Sequence, residues 1–202
     1  GRAMLCRRLC CRGAAPSDPD GRNDDASLAE EFEEMCKGYD RQTKAAQVTA
    51  EELQSWLRDP DVKVRIFDTR EPGEHHVSAL PGAELLTPTK LGLNAAMSGA
   101  GLLSFATPVP DLASLPQGTR VVCQCTAGLR SGHSCAALEA EIQRQGATCS
   151  VYSLHGGIMA WVNAGGEVVC PKTGATQATV HTCVARWGRF VQRGYRTTAT
   201  PE

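Results

Sequence analysis

One segment of this chain is best equipped for nucleophilic chemistry, the run Cys125-Thr126-Ala127-Gly128-Leu129-Arg130-Ser131. It follows a short β-branched stretch, Arg120-Val121-Val122-Cys123-Gln124, and precedes a segment in which Ala136, Ala137, Leu138 and Ile142 recur at helical spacing. The expected order is strand, tight loop, helix. In such a loop successive backbone N–H groups converge on the space above the sulfur, and the positive end of the following helix points the same way. Both features favour a thiolate over a thiol. Gly128 lets the backbone turn without a Cβ clash, and Arg130 supplies a planar cation suited to a bidentate oxyanion. The pattern predicts a cysteine nucleophile inside an anion cradle.

The elements that must position this loop follow from hydrophobic periodicity. Strands are expected near Gln47–Thr49, Val64–Asp68, Glu84–Leu86, Arg120–Cys125 and Cys149–Leu154, and helices over Ala50–Leu57, Pro110–Leu115, Ser131–Gln145 and Gly157–Ala164. Alternating strands and helices predict a mainly parallel sheet covered on both faces, with the nucleophile at the carboxyl edge where open α/β sheets bind ligands. Asp68 and Arg70 should share that rim; an Asp-x-Arg pair at a strand end reads first as a structural ion pair or loop cap. His75 and His76 read as surface loop residues.

The loop Cys125-x-x-Gly128-x-Arg130-Ser131 resembles the active loop of the rhodanese (thiosulfate sulfurtransferase) domain. Two further segments are similar to that family. Ile66-Phe67-Asp68-Thr69-Arg70-Glu71-Pro72, followed by Leu80-Pro81-Gly82-Ala83, matches its first strand and loop. Leu154-His155-Gly156-Gly157-Ile158-Met159-Ala160-Trp161 matches the strand end and Gly-Gly turn that close it. The resemblance spans about Val48 to Val169. It implies a three-layer α/β/α fold with a mainly parallel five-stranded sheet, and a sulfurtransferase that carries a sulfane sulfur as a persulfide on Cys125.

In that scheme the amides from Thr126 to Ser131 hold the terminal sulfur, and Arg130 positions a small anionic donor such as thiosulfate or stabilises departing sulfite. A thiol or cyanide accepts the sulfur. Cys125 and Arg130 are separated by one residue fewer than in the phosphatases and arsenate reductases that share the fold, so sulfur transfer is favoured over those two activities. A non-catalytic interaction module is the other alternative. Departures from the family pattern are Thr126, where Arg or Lys is frequent, the apolar Leu129, and Ser78-Ala79 in place of Gly-His. The lowered positive charge argues against thiosulfate as the physiological donor.

Composition bounds the answer independently. With 202 residues, 42% hydrophobic, and a formal net charge of −1, the chain reads as one ordinary domain with tails, and nothing suggests nucleic acid. No apolar run approaches the ~18 residues of a membrane span. Ten cysteines do not bracket folded elements as a secreted framework would, which points to a reducing compartment, cytoplasmic or organellar (mitochondrion or plastid). Cys123 and Cys135 flank the loop, as buried structural cysteines or as resolving thiols. Zinc-type Cys-x-x-Cys pairs are absent from the sequence, and no metal or cofactor is called for.

Along the chain, residues 1–25 read as a basic then acidic disordered tail, with a transit segment or palmitoylated cysteines as the alternatives. Residues 26–45 form a leading helix and linker, the helix spanning Ser27 to Lys37 from a capping box at Ser27 and Glu30. The domain occupies 46–169, with Leu91 to Ala106 as an inserted loop. Residues 170–202 read as a basic tail: Val184, Trp187, Val191 and Tyr195 share a helical face beside Arg186, Arg189, Arg193 and Arg196, weakened by Gly188 and Gly194. This segment reads first as a helix laid on the domain or a floppy tail, with weak contact of the tails to an acidic partner or an anionic membrane surface as the alternative.

Overall fold

Five short strands form one parallel sheet in the order β1-β5-β4-β2-β3. They are β1 Gln47–Val48, β2 Val64–Asp68, β3 Glu84–Leu85, β4 Arg120–Gln124 and β5 Ser150–Leu154. The structure, a computed structural model, describes residues 24–90, 94, 104–191 and 194–199. β4 lies at the centre, pairing with β2 from Val64↔Arg120 to Asp68↔Gln124 and with β5 from Arg120↔Ser150 to Cys123↔Ser153. Helices on both faces explain why the strands read as nearly continuous apolar runs.

Side chains of β4 alternate between two cores. Val122 joins Ile66 and Leu154 against α2 (Ala50–Arg58) and α5 (Gly157–Asn163), where Leu53, Ile158, Trp161 and Val162 are buried. Val121 and Cys123 join Phe67 and Val151 against α4 (Leu129–Gln145), through Cys135, Leu138 and Ile142. Each fully buried valine contributes about 1.5–3 kcal/mol. α2 begins at a capping box, with the Glu52 N–H donating to Thr49 Oγ1 at 3.2 Å and the Thr49 N–H to Glu52 Oε2 at 2.9 Å. α4 starts at Gly128 (φ 105°) and stops at Gly146 (φ 67°).

Several elements differ from expectation. The leading helix α1 runs over Asp24–Thr43, beyond the predicted Ser27–Lys37 at both ends. Ser27 is therefore helical rather than a cap, and Tyr39, packed beside buried Phe32 and Cys36, carries the apolar stripe past the expected end. The helix approaches α4 so closely that a Cβ on Gly132 would lie 2.4 Å from Thr43 Oγ1. Pro110–Leu115 forms turns instead of a helix; the Leu112 and Ala113 N–H groups donate to the Gln145 side-chain oxygen at 2.6 and 3.3 Å. A short helix that the sequence pattern did not predict, α3, covers Pro72–Val77. Most of the loop expected at Leu91 to Ala106 lies outside the described residues. Its flanks meet where the Thr89 N–H donates to the Ser104 carbonyl at 2.8 Å.

The described residues past Val169 pack onto the domain, and among them no amphipathic α-helix forms. β6 (Val168–Val169) pairs antiparallel with β7 (Thr176–Gln177), and β8 (Thr179–His181) pairs parallel with β9 (Arg196–Thr198). A 3-10 helix at Ala185–Phe190 lies between β8 and β9. Gly188 and Gly194 break the helical register, and Thr-rich flanks favour strands. The apolar residues read as one helical face divide accordingly. Trp187 packs with Phe32 and Phe190, Tyr195 packs on the α2/α5 core, and Val191 touches both clusters. Among the described residues no helix is long and apolar enough to cross a membrane. The N-terminal tail, residues 1–23, lies outside the described residues.

Candidate active site

Cys125 follows the last residue of the central strand, at its carboxyl end, and its sulfur is the focus of a small hydrogen-bond set. The Gly128 N–H donates to Cys125 Sγ at 3.2 Å, and Ser131 Oγ lies 3.5 Å away. Ser131 Oγ also lies 3.0 Å from the Gly128 carbonyl and 2.9 Å from Ser153 Oγ. One hydroxyl carries one proton, so Ser153, donating to Ser131, leaves that proton for the sulfur or the carbonyl. Ser153 is a site residue that the sequence pattern did not reveal.

The loop is backed by the Gly-Gly turn. The Ile158 N–H donates to the Cys125 carbonyl at 2.8 Å and the Met159 N–H to the Thr126 carbonyl at 3.3 Å. Gly157 has φ 56°, and a Cβ there would lie 2.3 Å from the Cys125 carbonyl oxygen. A side chain at that position is thus excluded by backbone atoms that cannot move without displacing the nucleophile.

Arg130 does not stand free before the sulfur as expected. Its Nη1 donates to Glu74 Oε2 at 2.5 Å and its Nη2 to Glu74 Oε1 at 2.8 Å, a bidentate pair, with a further bond from Nη2 to Thr126 Oγ1 at 3.0 Å. Thr126 in turn donates to Glu74 Oε1 at 3.1 Å. The Glu71 N–H donates to the same carboxylate at 2.9 Å, closing the first turn of α3. Burial works to raise the Glu74 carboxyl, but the Arg130 and His181 contacts and the Glu71 backbone outweigh it and hold it far below the usual carboxylate range. Burial likewise works against the Arg130 cation, and Glu74 and the nearby Cys125 keep it charged.

His181 completes this edge from β8. Its Nδ1 lies 3.5 Å from Glu74 Oε1 and 3.1 Å from the Cys183 backbone nitrogen. A protonated Nδ1 can donate to Glu74; an unprotonated one can accept from the Cys183 N–H, so the two contacts exclude each other.

The remaining predicted residues are placed as follows. Ala127 is buried beneath a lid of Phe32, Cys36, Met159 and Phe190, drawn from α1, α5 and the 3-10 helix, with the Phe32 and Phe190 rings 5.5 Å apart. Leu129 is half-buried at the start of α4. Asp68 and Arg70 are both fully buried and bonded to each other, Nη2 to Oδ2 at 2.6 Å, while Arg70 Nη2 also donates to the Ser78 carbonyl at 2.6 Å. Burial works to raise Asp68, and Arg70 and His75 hold it lowered. This pair ties together the residues that flank α3 at its two ends, and its hydrogen bonds go to Ser78 and His75 rather than to the cysteine loop. His75, expected on a surface loop, is half-buried in α3 with its Nδ1 2.9 Å from Asp68 Oδ2.

Cys123 and Cys135 are buried at 0% and 1% exposure in the α4-side core, and hydrogen bonding to Cys123 together with burial raises the Cys135 thiol well above its ordinary value. Cys125 itself is only 2% exposed. The seven described cysteines are all free thiols.

Comparison with known proteins identifies the family of the domain that carries this site. Residues 49–164, more than half of the chain, match the rhodanese-like domain family. The chain belongs to that family, and its fold is the mainly parallel α/β fold described above. No curated protein shows a significant match. Among solved structures, a thiosulfate sulfurtransferase from Pseudomonas aeruginosa is similar at 21% identity and a TM-score of 0.44, over 73% of this chain and 24% of that one. The chain thus spans about a quarter of that relative's length. A rhodanese-related protein from Thermoplasma volcanium aligns at 18% identity and a TM-score of 0.40, over 62% of this chain and 98% of that one. A Rhodopseudomonas palustris protein of unknown function, described as a possible tyrosine phosphatase, aligns at 18% identity and 0.38, over 76% and 98%.

Both wings of the lid and the His181 edge come largely from outside the matched residues: α1 ends at Thr43, and β8 and the 3-10 helix lie beyond residue 164. Glu74 lies inside them, at the N3 position of a Pro-started turn. The spacing Glu71-Pro72-Gly73-Glu74 was the signal available for it.

Proposed function

We propose that this protein is a sulfurtransferase in which Cys125 carries a sulfane sulfur. The observation that carries the reading is the convergence of the Gly128 N–H and the Ser131 hydroxyl on Cys125 Sγ within a loop opening α4. The Cys125 thiolate attacks the outer sulfur of a donor of the thiosulfate type. The donor's S–S bond breaks, its electron pair leaves with sulfite, and a Cys125 persulfide remains. The loop N–H groups stabilise the terminal sulfur's negative charge. A thiol acceptor or cyanide then attacks that sulfur and releases the Cys125 thiolate. Free cysteines throughout the described residues support work in a reducing compartment.

Arg130 is neutralised by Glu74, which weakens the cradle for a dianionic donor and favours a donor of lower charge. Intact mass after incubation with thiosulfate or 3-mercaptopyruvate, under non-reducing conditions, tests the proposal. A gain of one sulfur that cyanide removes, and that Cys125→Ser lacks, is expected. No gain with either donor would instead favour an interaction module.

A further inference from the structure

A hydroxyl stands where the α4 face of the sheet is otherwise apolar. Phe67, Val121 and Val151 line this face, and two residues past Val151 the strand β5 places Ser153 on it, opposite Cys123 in register and fully buried. A hydroxyl taken out of water needs a hydrogen-bond partner, and its single proton needs an acceptor. Among the described residues the partner of the Ser153 side chain is Ser131 Oγ, 2.9 Å away and equally enclosed in the first turn of α4.

Proton counting gives this pair a direction. Ser153 can spend its proton only on Ser131, so Ser131 accepts it and keeps its own for the Gly128 carbonyl at 3.0 Å or Cys125 Sγ at 3.5 Å. That carbonyl already accepts the Gly132 N–H at 2.9 Å, the first i→i−4 bond of α4, and does not depend on Ser131. A charged acceptor makes the stronger bond, so the Ser131 proton favours the carbonyl while the sulfur is neutral and the sulfur once it is charged.

We infer that Ser153 is a positioning residue that, by donating to Ser131, aims the Ser131 proton at Cys125 Sγ whenever that sulfur is a thiolate. Its role in turnover rests on the sulfurtransferase reading. There Sγ is charged before it attacks the donor and neutral in the persulfide, whose charge lies on the terminal sulfur. It is charged again when the acceptor takes that sulfur and the electron pair of the S–S bond returns to Cys125. The Ser131 hydroxyl turns with each change, and no proton enters or leaves the pair. Ser153 touches no reacting atom; polarisation along the two hydroxyls strengthens the bond to sulfur beyond what Ser131 supplies alone.

The test is a double-mutant cycle on the full chain, comparing the native protein with Ser131→Ala, Ser153→Ala, both together, and Ser153→Thr. Two rates are read. One is alkylation of Cys125 by iodoacetamide across pH, followed by peptide mass. The other is cyanide discharge of protein loaded with thiosulfate, or with 3-mercaptopyruvate if thiosulfate does not load it. Loss of one charge-assisted hydrogen bond corresponds to roughly a tenfold change. Ser131→Ala should therefore raise the midpoint of Cys125 alkylation by about one pH unit and slow discharge about tenfold, since a more basic thiolate leaves more slowly. Ser153→Ala weakens the bond without removing it, so a rise of about half a unit and a roughly threefold slowing are expected. The double variant should match Ser131→Ala, and Ser153→Thr, which keeps the hydroxyl, should restore both rates.

An unmoved alkylation midpoint in Ser153→Ala, or a Ser153→Ala effect that persists in full on the Ser131→Ala background, would overturn the inference; the second result is what mere damage to the core produces. The alkylation arm needs no sulfur donor. If native Cys125 takes sulfur from neither donor, the sulfurtransferase reading falls, and the alkylation cycle still decides whether Ser153 acts through Ser131.

Discussion

Replacing Glu74 with Gln should cost stability near neutrality, spare most of it in acid, and improve the use of anionic donors. The side chain bridges α3 to the cysteine loop through two bonds to Arg130 and one to Thr126, at 6% exposure beside an Arg130 side chain that is 15% exposed. Removing one partner of a buried ion pair costs about 3–5 kcal/mol, and a glutamine oxygen that still accepts from Arg130 reduces this to about 2–3 kcal/mol. At about 2 kcal/mol per molar urea the midpoint should drop by roughly 1 M at pH 7.

The carboxyl is depressed in the folded state, so its contribution is fully present above the unfolded value of 4.5 and declines as pH falls toward the folded one. Each pH unit below that value removes about 1.4 kcal/mol, so by pH 3 the gap between native and variant should shrink by about 2 kcal/mol. The guanidinium, no longer neutralised and with one of its two bonds to residue 74 lost, should lower the KM for thiosulfate roughly tenfold, the worth of one charge-assisted hydrogen bond at about 1.5 kcal/mol. Urea titrations at pH 7 and pH 3, with thiosulfate kinetics, measure all three. An equal deficit at both pH values, or none at pH 7, would refute the role assigned to the Glu74–Arg130 pair.

Gly157→Ala should abolish sulfur loading and destabilise by about 2 kcal/mol or more, since its Cβ meets the Cys125 carbonyl and its φ is left-handed; loading assays beside thermal melts would show it. His155 has Nδ1 2.6 Å from Asp40 and Nε2 2.9 Å from Glu33, both on α1, a geometry that suits the doubly protonated ring. Burial opposes that charge, yet the two carboxylates raise its titration above the usual value. Its hold on α1 is therefore full below about pH 6.5 and lost as pH rises through the raised value, so hydrogen exchange in α1 should quicken with pH beyond its intrinsic rate, and His155→Gln should remove that pH dependence. Among the described cysteines Cys170 should be alkylated first, because the Thr173 hydroxyl and the backbone at Lys172 and Thr173 lower its thiol; peptide mapping after brief iodoacetamide treatment decides this.

The five strands were legible because a sheet buried on both faces writes β-branched runs such as Arg120–Gln124 into the chain. The cysteine loop was legible because glycine and arginine at fixed spacing leave few alternatives. α3 was not: six residues containing Pro72, Gly73 and two histidines carry no apolar period, and its key residue acts through charge. With α3 unseen, Arg130 seemed free and Glu74 had no role. The C-terminal segment misled for the opposite reason. Trp187 and Val191 do face inward, but long-range pairing of Thr179–His181 with Arg196–Thr198, invisible to local periodicity, decided the backbone.

The lid joins residues near opposite ends of the sequence, Phe32 to Phe190 and Glu31 to Arg189. During synthesis the cysteine loop and its Gly-Gly backing can be complete once the first 164 residues have emerged, whereas the Phe32–Phe190 contact must wait for Phe190. Closing so long a span costs more chain entropy than forming the local cysteine loop does. The order of synthesis thus separates the making of the nucleophile's loop from the making of its roof.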